Sequence, residues 1–385
     1  MARALTDRSV SDRWSAIGFT LSLVLPSTMV VHRFLGPIGL IAYCLIASGL
    51  LLVLHRWGFA RLLEAFTARR AAGLAAGLLM LLVVIFPLGH SIANSGLLGS
   101  GSDRDEHLTL GVTELLRGHY PYYPVGPLGG FISQMPGALI LAIPFVLLGN
   151  GGYQNLFWLV LFAATLSVSW RDFRSAVLLV AVILSCAPAV LREYLAGGDV
   201  LANSLYVLVF VMGMVHVIPQ AHVGRWKKGL LVLALGIGLS SRAPFLLLLP
   251  LVYSALRRRA GARVAGSCVA LVCAVFGLLT APFYFYDPEG FTPMRTSEFM
   301  RFESIPPFGS ALLLVVFAAI PLWLARDGDN GDMSTLLRRC ALVLAVPILT
   351  VTLLVSIDDG RLESYYLGYG LWFLFFGAVG FRPSW

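Results

Sequence analysis

The residues best suited to chemistry lie in a short polar segment that reads Asp103-Arg104-Asp105-Glu106-His107. A carboxylate such as Asp105 can accept a proton from a hydroxyl group during a transfer reaction. Asp103 and Asp105 could also hold a divalent cation, which we do not favour because two-carboxylate spacings are common by chance. Two structural interpretations stay open: Asp103 could cap a helix, with Glu106 completing a capping box, and Asp105 could stabilise the helix dipole.

Three arginines from later segments, Arg192, Arg242 and Arg361, could bind the phosphate of a substrate. A guanidinium group stays charged and forms paired hydrogen bonds with phosphate oxygens. Each arginine also has a structural interpretation. Arg192 could pair with Glu193, Arg242 could extend its charged end out of the membrane, and Arg361 could be neutralised by the acids that precede it.

Asp199, Tyr122 and Tyr123 complete the candidate site. Asp199 could act as a further carboxylate in the site or could cap the helix that follows it. The two tyrosines could stack on a sugar ring or could belong to the aromatic belt of a membrane surface. No spacing of His or Cys residues predicts a metal centre, and the five cysteines lie in or beside apolar runs.

The scaffold that positions these side chains is too apolar for a soluble protein. Of the 385 residues, 58% are hydrophobic and only 12% are charged, against about 25% charged in a soluble domain. This excludes a soluble enzyme, a disordered chain and a coiled coil. Because the apolar runs are continuous rather than alternating, they predict membrane-spanning helices rather than a barrel. The net charge of +8 then belongs to cytoplasmic loops and does not indicate nucleic-acid binding.

The apolar runs predict an all-α polytopic protein with about twelve transmembrane helices in one integral membrane domain, 1–385. A spanning helix needs roughly 20 apolar residues, and the stretch 229–256 is interpreted as two short spans that meet at a turn. One further run, 137–149, is too short to span. The predicted spans are 15–31, 36–54, 72–91, 153–170, 175–191, 200–218, two within 229–256, 264–284, 309–325, 340–357 and 363–381.

The distribution of Lys and Arg predicts that both termini are cytoplasmic. If 137–149 does not cross the membrane, 20 of the 28 Lys and Arg residues fall in inside loops and 8 fall outside. If it crosses, 12 fall inside and 16 outside. The positive-inside rule favours the first arrangement. We therefore expect 137–149 to be a half-helix or re-entrant segment on the outer side, where 13 of the 20 acidic residues also collect.

The first outer loop, 92–136, is predicted to contain an amphipathic helix that lies along the membrane surface. Leu108, Val112, Leu115 and Leu116 follow the i, i+4, i+7, i+8 spacing of one helical face. Gly118 is expected to end this helix. Loops of this length are usually functional, so the acidic segment at the start of the helix is the first candidate for an active site.

Four outer segments together resemble the GT-C glycosyltransferases, a superfamily that includes mannosyl, arabinosyl and aminoarabinose transferases. The segment DEHLTLGVTELLRGHYPYYP is similar to the start of their first outer loop, and QMPGALILAIPFVLLG to their proline-led outer helix. Their Arg/Asp pair at the start of a later span resembles the segment LREYLAGGDVLANSLYVLV. Their outer turn between two spans resembles the segment GIGLSSRAPFLLLLPL. The resemblance covers roughly 75–260. It departs from the family in Arg242, where Lys is more usual, and in two extra spans at the N-terminus.

The resemblance implies a catalytic module over 72–260, preceded by two extra spans in 1–71 and followed by C-terminal spans in 261–385. It implies transfer of a sugar from a polyprenyl-phosphate donor to a glycan, lipid or protein acceptor on the outer face of a bacterial plasma membrane. Asp105 is then the expected general base, with Asp103 beside it. Arg242, Arg361, Arg192, Asp199, Tyr122 and Tyr123 would bind the donor.

An alternative from another class is a transporter or flippase for a lipid-linked envelope intermediate. Transporters often contain internal repeats and acidic groups near the middle of the membrane. This sequence has no convincing repeat, and its charged groups lie at span boundaries, which favours the enzyme. The sequence also has no glycine-rich phosphate loop and no cytoplasmic loop long enough for a nucleotide-binding domain. We therefore expect no bound cofactor beyond the lipid-linked donor.

Overall fold

The computed structural model describes residues 2–95, 103–126, 129–295, 308–326 and 331–383, with side chains from residue 13 onward except for Asn94. These residues form helices and no β-strand; Val125 and Phe131 make one isolated bridge. The α-helices are α1 (Ala2–Val24), α2 (Thr28–Val53), α3 (Phe59–Ala65), α4 (Ala68–Asn94), α5 (Arg104–Leu116), α6 (Pro136–Leu147), α7 (Tyr153–Trp170), α8 (Phe173–Cys186), α9 (Pro188–Ala196), α10 (Asp199–Val217), α11 (Arg225–Leu239), α12 (Leu249–Ala260), α13 (Ala262–Tyr286), α14 (Gly309–Arg326), α15 (Met333–Asp358) and α16 (Leu371–Gly380).

The prediction of an all-helical protein with helices that could cross a membrane is confirmed for the described residues, whereas a count of twelve spans is not. Within the described residues, six helical segments are long and apolar enough to cross a membrane, or seven if the bent pair α8–α9 is one span. Several predicted spans are interrupted. Short 3-10 segments, Ala243–Leu248 and Tyr365–Gly370, precede α12 and α16, which leaves these two helices with 12 and 10 residues.

The first of the six segments, Arg13–Ala65, has 53 residues and folds back on itself. Gly36 has a φ of +65°, a conformation that residues with a side chain rarely adopt, and Pro37 follows it. The ring of Phe19 consequently lies 5.6 Å from that of His55 and 5.9 Å from that of Phe59. The N-terminal segment is therefore a helical hairpin, whose two arms correspond to the two predicted N-terminal spans.

The predicted span 175–191 is two helices, because Pro188 interrupts it. Proline cannot continue the hydrogen-bond ladder and disfavours helical geometry in the residue before it, and Ala187 has φ −119° and ψ 81°. Helices α8 and α9 consequently meet at 84°. The bend carries Glu193 toward the start of α10, a helix whose side chains are almost all buried.

The two short segments that the sequence predicts to lie outside, 104–116 and 136–147, form helices as expected. Helix α5 begins at Arg104 and buries Leu108 and Val112 completely, against a small cluster that includes Leu139 of α6. Gly118, with a φ of +75°, follows its last turn. Helix α6 has 12 residues, about 18 Å at 1.5 Å per residue, and is therefore shorter than the roughly 30 Å hydrocarbon core of a bilayer.

The contacts between loops divide them into two groups, one at each end of the helical bundle. These groups match the outside and inside loops predicted from the distribution of Lys and Arg. At one end of the bundle, here the polar end, Arg104, Gln134, Glu193, Asp199 and Arg242 contact one another. At the opposite end, Ser15 and His55 both contact the carbonyl of Phe381, and Arg338 donates to the carbonyl of Gly380 at 2.7 Å. All the residues of the first group belong to segments predicted outside, and all those of the second group to segments predicted inside or at their edge.

The start of α6 is joined to the turn after α11 through Gly137. The Gly137 amide donates to the Ser240 carbonyl at 2.9 Å, and the Met135 amide donates to the Ser241 carbonyl at 3.2 Å. A Cβ on Gly137 would lie 2.1 Å from the Ile237 carbonyl oxygen and 2.6 Å from the Ser240 carbonyl carbon. Only glycine permits this approach of two backbones.

We expect Gly137→Ala to lower the free energy of unfolding by about 1–3 kcal/mol, the usual cost of overpacking, because the added methyl group must separate α6 from α11. Thermal unfolding of the purified protein in detergent measures the change. The matched control is Gly229→Ala in α11, where an added Cβ would contact nothing within 4 Å. Equal stability of the two variants would contradict the predicted contact.

Candidate functional site

The polar end contains a buried ion pair between Asp199 and Arg242. Nη2 of Arg242 donates to the two carboxylate oxygens of Asp199 at 2.7 and 2.9 Å, and its Nε donates to Oδ2 at 3.2 Å. Only 2% of Asp199 and 7% of Arg242 are exposed. Asp199 is the first residue of α10, and Arg242 lies in the turn after α11. The pair therefore fixes the beginning of one helix to the end of another.

Neighbouring polar groups satisfy the remaining hydrogen-bonding capacity of this pair. Nη1 of Arg242 donates to the carbonyl and the hydroxyl of Ser133 at 2.8 and 2.9 Å. Asn203 donates to Asp199 at 3.2 Å and Gln134 donates to it at 3.4 Å. Both members are thus saturated by protein groups. Arg242 does not extend toward the membrane surface, and its donors are already engaged.

A second charged group surrounds Glu193, which is also buried. Its carboxylate accepts from Nη1 of Arg104 at 3.4 Å and from the Val200 amide at 3.3 Å, and lies 3.8 Å from Nη1 of Arg192. Arg33 and Arg104 lie close enough to Arg192 for their charges to repel it. Two arginines, Arg104 and Arg192, therefore share one carboxylate, which gives this group a net positive charge.

The two charged groups are connected through Gln134 and Arg104. Nε2 of Gln134 donates to the Arg104 carbonyl at 3.1 Å as well as to Asp199. The guanidinium of Arg104 lies over the ring of Tyr369, 4.7 Å from its centroid, in a cation–π contact. The first turn of α5 is consequently fixed to the same cluster that contains Asp199 and Glu193.

Asp105 lies in the first turn of α5 and is only 7% exposed. Burial raises the pKa of its carboxyl to about 8, with a further contribution from a hydrogen bond and repulsion by Glu106. Its Oδ2 lies 3.6 Å from Nε2 of His90. A carboxyl group with a pKa near neutrality can both accept and release a proton, which suits general acid–base chemistry.

Hydrogen bonds fix the ring of His90 beside Asp105. Its Nδ1 lies 3.0 Å from the Leu195 carbonyl, which can only accept, so Nδ1 carries a proton. Its Nε2 lies 3.1 Å from the side-chain nitrogen of Asn150, a donor, which makes Nε2 the acceptor. Sequence reasoning missed His90, although a lone ionisable residue in an apolar run is a signal that could have found it.

The remaining predicted residues lie in different surroundings. Asp103 is the residue before α5, but its side chain makes no capping hydrogen bond and instead lies 3.3 Å from Nε2 of His107. Tyr122 is buried against Phe291, whereas Tyr123 is exposed. Arg361 is exposed and lies 3.5 Å from Glu363. Tyr122 therefore packs in the core, and Arg361 lies outside the buried cluster.

Comparisons with known proteins identify no relative. No protein-family model, no curated protein and no solved structure matches the chain. Among the described residues, no group of three or more His, Cys, Asp or Glu side chains is arranged to hold a metal ion. The candidate site therefore rests on its own geometry: a buried carboxyl group of raised pKa, a saturated ion pair and an excess of arginine.

We expect Arg242→Met to lower the free energy of unfolding by about 3–5 kcal/mol, because it leaves the charge of Asp199 buried and unpaired. Adding Asp199→Asn removes that charge and should recover part of the loss, so that a double-mutant cycle shows strong coupling. The matched control is Arg361→Met, whose exposed pair is worth at most about 1 kcal/mol. If the effects of Arg242→Met and Asp199→Asn on the free energy of unfolding were additive, the two side chains would not form the ion pair described here.

Proposed function

We propose that this protein is a membrane glycosyltransferase that moves a sugar from a polyprenyl-phosphate donor to an acceptor hydroxyl at the polar end of its helical bundle. The main observation behind this proposal is the buried carboxyl of Asp105, whose pKa is about 8. The preceding residue, Arg104, belongs to the positively charged group around Glu193. A proton acceptor and an anion-binding group are the two functions that this transfer requires.

The convergence of the four GT-C-like segments supports this proposal. They lie far apart in the sequence, yet one end of the bundle holds all four. Gln134, Glu193, Asp199 and Arg242 belong to three of the segments, and Arg104, which contacts Gln134 and Glu193, directly precedes the first. A catalytic module over 72–260 would need this arrangement. The positive-inside distribution supports a polar end outside the cytoplasm, and the proposed location is a bacterial plasma membrane.

In the proposed reaction, Asp105 is the general base. The oxygen of the acceptor hydroxyl attacks the anomeric carbon of the sugar, and its proton passes to the Asp105 carboxylate. The bond between the anomeric carbon and the phosphate oxygen breaks, and polyprenyl phosphate leaves with the electron pair. Burial makes Asp105 a stronger base than an ordinary aspartate, since its raised pKa favours the protonated form.

The geometry favours Arg192 over Arg242 as the residue that binds the donor phosphate. Arg242 already donates to Asp199 and Ser133, whereas Arg192 is only half-buried and lies 3.8 Å from the carboxylate that it shares with Arg104. We therefore assign Arg192 and Arg104 to the phosphate, and Arg242 and Asp199 to the architecture of the site. Tyr123 is exposed and stays a candidate for contact with the sugar.

Asp105→Asn should lower the transfer rate by about 10²–10⁴-fold, the usual contribution of a general base, because the amide keeps the shape of the carboxyl but cannot accept the proton. The assay offers purified protein a panel of polyprenyl-phosphate-linked pentoses and hexoses and measures sugar transfer and donor binding. Donor binding should persist. Matched controls are Asp103→Asn and Glu114→Gln, a carboxylate on the same helix that pairs with Arg117 and His119.

The pH profile provides a second readout of the same assignment. The base acts only when deprotonated, so kcat/KM should rise with pH and level off above about pH 8, where the Asp105 carboxyl has lost its proton. Asp103→Asn should retain this profile. A rate that is insensitive to Asp105→Asn would refute the assignment. Movement of the lipid-linked sugar across the membrane without product would favour the alternative transporter.

Labelling of introduced cysteines tests the sidedness. In a background without the five native cysteines, Tyr123→Cys should react with a membrane-impermeant reagent in intact cells, and Trp226→Cys should react only after permeabilisation. Both side chains are exposed, so burial cannot mask either result. Labelling of position 226, but not of 123, in intact cells would reverse the orientation.

A further inference from the structure

A cavity of about 450 Å³ lies between α10, α11 and α13 at the opposite end of the bundle from the candidate active site. Ile218, just after α10, and Arg225, the first residue of α11, both line it. We propose that this cavity binds an anionic phospholipid, with the headgroup phosphate at its mouth and an acyl chain along its depth. The proposal does not depend on the proposed glycosyltransferase activity.

The walls of the cavity change from charged to apolar with depth. On α11, Arg225, Lys228 and Val232 line it at the i, i+3, i+7 spacing of one helical face, and on α13 Val264 and Leu271 line it together with Cys268. At 1.5 Å per residue, Val232 lies about 10 Å along the helix axis from Arg225. A phospholipid has the same order, with a charged group at the membrane surface and a hydrocarbon chain below.

Helix packing closes the cavity at its deep end. A Cβ on Gly236, one turn beyond Val232, would lie 2.6 Å from Cβ of Val275. Helices α11 and α13 therefore touch closely just beyond the residues that line the cavity. Val264 and Leu271 are exposed at the side of the opening, so an acyl chain can leave the cavity along the apolar face of α13.

The mouth of the cavity carries positive charge. Nζ of Lys228 donates to the Ile218 carbonyl at 2.7 Å, which uses one of its three N–H groups. None of the ion pairs between described residues includes Arg225 or Lys228. Basic pockets between helices bind anionic headgroups in this way, and an arginine can bind phosphate oxygens in pairs.

A phospholipid accounts for both parts of the cavity, whereas inorganic phosphate accounts only for its mouth. The apolar depth lined by Val232, Cys268 and Leu271 offers nothing to a small hydrophilic anion. A zwitterionic phospholipid would fill the depth, but its headgroup has no net negative charge to match two cations. The combination selects a lipid that carries both a net negative headgroup and an acyl chain.

The test measures binding of phosphatidylglycerol to the full-length protein in neutral detergent, by native mass spectrometry and by thermal unfolding. Phosphatidylglycerol should bind and raise the unfolding temperature. Arg225→Gln should weaken its binding about fivefold, corresponding to about 1 kcal/mol per cation near an anionic lipid, and Lys228→Gln should do the same. The matched control is Lys227→Gln, because Lys227 does not line the cavity and lies 5.6 Å from the ring of Trp226.

Three results would overturn the proposal. Equal stabilisation by phosphatidylcholine would show that charge is not recognised. Equal stabilisation by inorganic phosphate or glycerol 3-phosphate would show an anion site without a lipid. An equal loss of phosphatidylglycerol binding in Arg225→Gln and Lys227→Gln would show a diffuse surface attraction instead of a site in this cavity.

Discussion

The buried pair of Asp199 and Arg242 is the interaction on which the arrangement of the polar end depends. Each charge loses water on burial, at a cost of several kcal/mol per ion that only excellent geometry can offset. That geometry requires the α9–α10 turn, the turn after α11 and the Ser133–Gln134 segment to meet within hydrogen-bonding distance. Gln134 extends the same constraint to α5 through the Arg104 carbonyl. The start of α5, which carries Asp105, is therefore positioned by a pair of charges that need not touch any substrate.

Apolar runs and charged loops made much of the fold predictable, because backbone groups in long apolar segments satisfy one another in helices and charged residues mark the loops between them. The sequence therefore indicated α5, the short α6 and the turn before Arg242, together with the grouping of loops at the two ends. It did not indicate the 84° bend at Pro188, since a proline either kinks or ends a helix according to its packing. The apolar runs also predicted continuous α-helices where α12 and α16 are each preceded by a 3-10 segment. Hydropathy does not distinguish a 3-10 segment from an α-helix.

The candidate site was predictable in its residue types but not in its pairings. Asp199 and Arg242 were each recognised, yet their mutual contact joins residues far apart in sequence and is decided by tertiary packing. Because of that contact, we propose that Arg242 shapes the site and does not bind the substrate. Uncharged or singly occurring polar residues were the hardest site residues to identify from the sequence. Gln134 and Asn203 complete the coordination of Asp199, but amides in apolar segments give no pattern from which such a role could be predicted.

The raised pKa of Asp105 and the excess of arginine around Glu193 are physically compatible. A protonated Asp105 carries no charge, so it does not neutralise Arg104 or Arg192, and this part of the polar end keeps its attraction for an anion. Once a phosphate binds, its negative charge opposes a second negative charge nearby and further favours the protonated form of the carboxyl. In the proposed reaction, donor binding would therefore raise the pKa of Asp105 further, so that its deprotonated form becomes less populated but takes the proton from the acceptor more readily. Departure of the phosphate would remove that effect, so that Asp105 could release its proton before the next cycle.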